Sequence, residues 1–106
     1  MSKQIEAILK ELRQRLERLY GPRLVGLLLY GSQARGDADP GSDIDVLVVL
    51  QGPVEPCEEI DRTIDDVAAL SLEHDVGIAC VFVSEEEYKV GGSPLLLNVR
   101  REGVPV

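Results

Sequence analysis

With 106 residues, 44% apolar and 28% charged, the chain can build one modest core and no second lobe. Its net charge of −8 is concentrated: residues 1–36 balance at +4, residues 37–90 at −13 and the rest at +1, which disfavours direct nucleic-acid binding and suits cations or a basic partner. No apolar run approaches twenty residues and the start is charged and amphipathic rather than signal-like, so the expectation is a cytoplasmic protein with no membrane contact.

Residues 3–20 place Ile5, Ile8, Leu9, Leu12, Leu16, Leu19 and Tyr20 at three- and four-residue spacing. This predicts an amphipathic helix with a basic outer face, stopped by Gly21-Pro22. The unbroken apolar runs at 24–30 and 44–50 predict strands buried on both faces. Residues 57–73 predict a second helix with Ile60, Ile64, Val67, Ala68 and Leu72 inward and its acids outward. A third strand is expected over 76–83, then a helix start at Ser84 with three glutamates, and a tail helix over roughly 93–102 from Ser93-Pro94 to Gly103. One domain, 1–106, is expected: a small α/β sandwich. Cys57 and Cys80 are far apart with no metal-ligand spacing, and His74 is the single histidine, expected at the surface near a helix end. Zinc is therefore not expected, and both cysteines read as small apolar fillers.

The stretch between the first two strands, YGSQARGDADPGSDIDVLVVL from residue 30, carries the chemistry. Gly31 and Gly36 have the spacing of half a P-loop, but Asp37 stands where lysine is required. A calcium loop counted from Asp37 meets Val48 at its twelfth position, where a glutamate is needed. What survives is a strand ending at Tyr30, then Gly31-Ser32, then Asp43 and Asp45 opening the next strand. Gly31 lets backbone approach a bulky anion, Ser32 adds a hydroxyl, and a short turn over SQARG can aim N–H groups at phosphate. Asp43 and Asp45, two apart on a strand, share a face and form a hard oxygen pair suited to Mg²⁺ and phosphate oxygens. Arg35 either contacts phosphate or pairs with Asp37 or Asp39. Ser42 reads as a loop or capping residue, since no histidine sits nearby to activate it.

This arrangement resembles the hG(G/S) and D-x-D signature of the polymerase-β-type nucleotidyltransferases. More narrowly, GSQARG…SDIDVLVVL is similar to the minimal nucleotidyltransferases, and VFVSEEEY and SPLLLNVRREGVPV look like the closing part of such domains. The resemblance implies a polymerase-β-like mixed sheet flanked by helices. It also implies transfer of a nucleoside monophosphate, AMP from ATP being favoured over another NTP, to an acceptor hydroxyl. Asp43 and Asp45 would be catalytic and hold Mg²⁺, and Gly31, Ser32 and Arg35 would bind the nucleotide. The family pattern adds a third acid on a neighbouring strand. The expected register puts Val81 there, with Asp75 a substitute metal ligand if the strand is shifted and Glu85 or Glu86 as fallbacks. The implied partner is a HEPN-type helical toxin whose tyrosine accepts AMP, or a second copy of the chain. The rival expectation is a non-catalytic antitoxin, or a nucleotide-binding module, that acts by docking.

Overall fold

Helix α1 (Lys3–Tyr20) begins where the Ser2 hydroxyl accepts the Ile5 N–H at 3.1 Å, satisfying a donor the helix cannot pair itself. The structure is a computed structural model that describes residues 2–39 and 41–106. From α1, Ile8, Leu12 and Leu16 are completely buried, each contributing about 1.5–3 kcal/mol of apolar burial. A 3-10 turn through Gly21–Arg23 leads into β1 (Leu24–Tyr30), then come a one-turn α2 (Ser32–Arg35) and β2 (Ile44–Leu50). The chain continues through α3 (Pro56–His74), β3 (Ile78–Ser84), α4 (Glu85–Val90), α5 (Pro94–Glu102) and β4 (Val104–Pro105).

The strands form one mixed sheet in the order β3-β2-β1-β4. β1 runs antiparallel to β2 and to β4, whereas β2 and β3, joined across α3, are parallel, as a helical crossover requires. Ile44, Val46, Val48 and Leu50 pack into a core with α1 and Leu70 of α3. Leu47, Val49 and Val83 pack on the opposite face against Leu96 and Val99 of α5. Covered on both sides, β2 reads as unbroken aliphatics, whereas β1, expected to be buried on both faces, is fully buried on one only, at Leu27 and Leu29, with Val25 exposed. No helix among the described residues is long and apolar enough to cross a membrane.

Three further expectations need correction. α3 is rotated from the predicted face: Ile60, Ile64 and Leu72 are 45%, 52% and 84% exposed, while Glu59 and Thr63 are buried. The cause lies in α1 and the turn after it. The Tyr20 hydroxyl donates to Glu59 Oε1 at 2.8 Å, Arg23 reaches Oε2 at 3.3 Å and Arg62 approaches Oε1 at 3.4 Å. A fully partnered acid can be buried where apolar periodicity alone assigns a leucine-type side chain. β3 begins at Ile78 rather than 76, because Val76-Gly77 form the link and the Gly77 carbonyl accepts the Ile44 N–H at 2.8 Å. Cys57 is exposed and fills no core; Cys80 is half-buried, and burial pushes its thiol up to about 12. β4, two residues long, is too short for periodicity to show.

Glu59→Gln is expected to cost about 1–2 kcal/mol in urea unfolding. The isosteric amide keeps the volume but loses the charge that Arg23 and Arg62 approach.

Candidate functional site

Side chains alternate along β2, so Asp45 lies on the α5 side of the sheet with Leu47 and Val49, and Asp43 is one alternate step before it. β1 ends at Tyr30, paired with Asp45, so the next residue, Gly31, falls beside the Asp45 carboxylate. Gly31 has φ +77°, and a Cβ there would lie 2.5 Å from Asp45 Oδ2; both facts demand glycine. Gly77, on the link before β3, plays the matching part for Asp43, whose carboxylate occupies the space a Cβ would need. Two glycines thus bracket two acids.

α2 follows at once. The Gly31 carbonyl accepts the Ala34 and Arg35 N–H groups at 3.1 Å each, and Gly36 closes the turn in the left-handed conformation. Gln33 Nε2 donates to the Ser42 carbonyl at 3.3 Å, tying this turn to the loop that carries Asp43. Ser32 opens α2 and is half-buried. Arg35 Nη1 donates to both oxygens of Glu102 at 3.1 Å, while its Nε donates to Asp37 Oδ2 at 3.2 Å. The Gly31 N–H also donates to Glu102 Oε1, at 3.2 Å.

Glu102 went unread in the sequence. Its available signal is electrostatic: an acid in the last turn of α5 opposes the helix dipole and calls for a cation outside the helix.

Partial burial pushes the Asp45 carboxyl up, neighbouring Asp43 pushes it further, and Arg35 pulls the other way. Such a pair is what a divalent cation relieves, and the carboxylates of Asp45 on β2 and Asp43 just before it supply the hard oxygen donors Mg²⁺ prefers. The residues present fit that ion. Burial and the Asp45 charge likewise raise Tyr30.

The parallel register corrects the placing of the third acid. Val81 pairs with Leu47, and the residue beside Asp45 is Ala79, which is exposed. Asp75 ends α3 with φ 51°, exposed, ahead of β3. Glu85 and Glu86 follow Ser84, which pairs with Leu50 at the opposite end of β2 from the acids.

A hollow of about 340 Å³ adjoins the Asp43 loop, lined among others by Gln33, Ser42, Asp75, Ile5 and Ile8. His74, on its rim, meets Glu11 Oε2 through Nε2 at 3.1 Å, with Glu73 close by. That cluster joins α1 to α3 and is separate from the aspartate pair. Its imidazole nitrogen is already engaged, and a histidine-bearing set does not favour Mg²⁺.

The raised Asp45 has a consequence for stability. A carboxyl whose folded pKa exceeds its unfolded value disfavours folding when ionised, and that penalty fades as pH falls toward the unfolded value. Asp45→Asn should therefore raise the thermal midpoint at pH 7 by roughly 2–5 °C, with the difference shrinking toward pH 4. Calorimetry across that range checks both the sign and the trend.

The sequence model of the family described as "Nucleotidyltransferase domain" matches residues 9–94. Two Methanocaldococcus jannaschii proteins, provisionally named protein adenylyltransferases, are similar in sequence. One is 38% identical over 81 residues, covering 76% of this chain and 75% of the relative. The other is 32% identical over 76 residues, covering 72% and 76%. Among solved structures, a chain of a toxin–antitoxin complex crystallised with AMP-PNP superposes with a TM-score of 0.61 at 20% identity, covering 98% of this chain and 72% of that one. A chain from a mutant MntA–HpeT toxin–antitoxin complex superposes at 0.59 with 19% identity, covering 89% and 68%. The mixed sheet flanked by helices is thus the nucleotidyltransferase fold. With the family match spanning most of the chain and two relatives aligned over about three quarters of it, this protein belongs to the nucleotidyltransferase domain family.

Proposed function

We propose that this chain transfers AMP from ATP to a hydroxyl on a partner protein. The observation that carries the proposal is Asp45 packed against Gly31, with Asp43 two residues before it, beside a turn whose N–H and guanidinium groups already hold an anion. Asp43 and Asp45 would hold Mg²⁺, which when bound neutralises triphosphate charge and orients the α-phosphate. Gly31 leaves room for the phosphates, Ser32 offers a hydroxyl, and Arg35 offers a positive charge at the rim. The acceptor oxygen forms a bond to the α-phosphorus as the bond to the β-phosphate oxygen breaks. Pyrophosphate leaves, and the hydroxyl proton passes to solvent, since Ala79 supplies no base beside Asp45.

The relatives named as protein adenylyltransferases favour a protein acceptor, and the toxin–antitoxin neighbours favour a toxin, of the HEPN helical type by the sequence resemblance. Acidic exposed residues of α3 suit a basic partner surface.

A second reading has its own support. Ala79 in place of an acid, together with exposed Ile60, Ile64 and Leu72, favours a module that neutralises its partner by docking alone. The deciding experiment incubates the chain with α-labelled ATP, Mg²⁺ and the protein encoded beside it. Label appearing on the partner supports transfer. A stable complex that neutralises the partner with no label assigns the docking role instead.

A further inference from the structure

The phosphate site proposed above contains an anion of the chain's own. Glu102 ends α5 and is carried back over the site because Val104-Pro105 pair with Leu28 and Leu29. Its carboxylate takes the Gly31 N–H at 3.2 Å and the Arg35 guanidinium at 3.1 Å through both oxygens. These are the guanidinium assigned above to phosphate and the amide of the glycine that makes room for it. The Gly31 amide carries one hydrogen, so it cannot serve Glu102 and a phosphate oxygen together in full-strength bonds.

From this we propose that Glu102 sets the affinity of the nucleotide site: it is a resident anion that an incoming polyphosphate displaces. The inference rests on Gly31 and Arg35 being the phosphate donors.

Displacement imposes one common cost on every anion that needs these donors. A triphosphate brings several negative oxygens and its own cation, so it outcompetes one carboxylate for Gly31 and Arg35. A monophosphate brings barely more charge than the carboxylate and gains little by the exchange. The same competition speeds product release, because Glu102 returns to its donors as pyrophosphate leaves. The exchange is inexpensive, for Arg35 is 46% exposed and Glu102 24% exposed, and a solvent-screened pair of this kind is readily broken.

The test uses Glu102→Gln, which keeps size and shape but weakens the competitor. Glu102→Asp serves as a second variant, retaining charge on a stem too short to reach both donors. Binding of inorganic tripolyphosphate and of AMP is followed through the Gly31 amide resonance, with spectral dispersion reporting the fold. Both variants should bind tripolyphosphate about three- to tenfold more tightly than the parent. AMP should gain by no more than the same factor, because it meets the same competitor. Unchanged or weaker binding in both folded variants overturns the proposal, even where label transfer to the partner succeeds. Tighter binding with no label transfer upholds the anion exchange and removes the transferase reading instead. Absence of any anion response at Gly31 in all three proteins removes both.

Discussion

Replacing Asp43 and Asp45 together by asparagine should lower AMP transfer by at least about 10³-fold while leaving the protein folded. The size follows from what the pair does electrostatically. Partial burial and neighbouring Asp43 both raise Asp45, so a cation beside the pair is favoured. Amides keep the shape and the room beside Gly31 and Gly77 but lose the charge that holds Mg²⁺ against a triphosphate. Since Asp45→Asn is itself expected to raise the thermal midpoint, lost transfer in a more stable protein separates chemistry from unfolding. Single-turnover labelling with matched calorimetry reads both quantities. Transfer within tenfold of the parent would remove these aspartates from the chemistry.

The parts of this site that the sequence discloses are those whose reason is local. Gly31 needs a positive φ and an open Cβ position, and Asp43 and Asp45 need one residue between them; each requirement is visible in a few consecutive letters. The aliphatic run of β2 is visible for the same reason, because burial on two faces leaves little room for polar residues. What stayed hidden depends on partners distant in the chain. Glu59 is buried because Tyr20 and Arg23 meet it, and periodicity within α3 cannot register residues of α1 and the turn after it. Glu102 reaches Gly31 across seventy-one positions of sequence. The place beside Asp45 turned on a register: a two-residue shift of β3 separates Val81 from Ala79, and both lie in an apolar run that gives no phase.

That register makes the most consequential prediction, which concerns a residue with no acid at all. Ala79 pairs with Asp45 across parallel strands, so their side chains leave the sheet on the same face, with the strands about 4.8 Å apart. A carboxylate at 79 would stand within reach of a cation held by Asp43 and Asp45, and of a hydroxyl approaching the α-phosphorus. A well-placed general base contributes about 10²–10⁴-fold, so Ala79→Asp should raise transfer by about 10–100-fold, the lower range reflecting an acid with no evolved support. The substitution meets no steric obstacle, because Ala79 is exposed. It brings a third negative charge beside a pair that already repels, so the thermal midpoint should fall without metal and recover as Mg²⁺ is added. Ala79→Asn, of equal size and no charge, should give neither the rate gain nor the metal-dependent recovery. If Ala79→Asp recovers its stability with Mg²⁺ yet transfers no faster than the parent, proton removal from the acceptor is not the step that limits the proposed transfer. The barrier would then lie in displacing Glu102 or seating the partner, and Glu102→Gln should be the variant that speeds turnover.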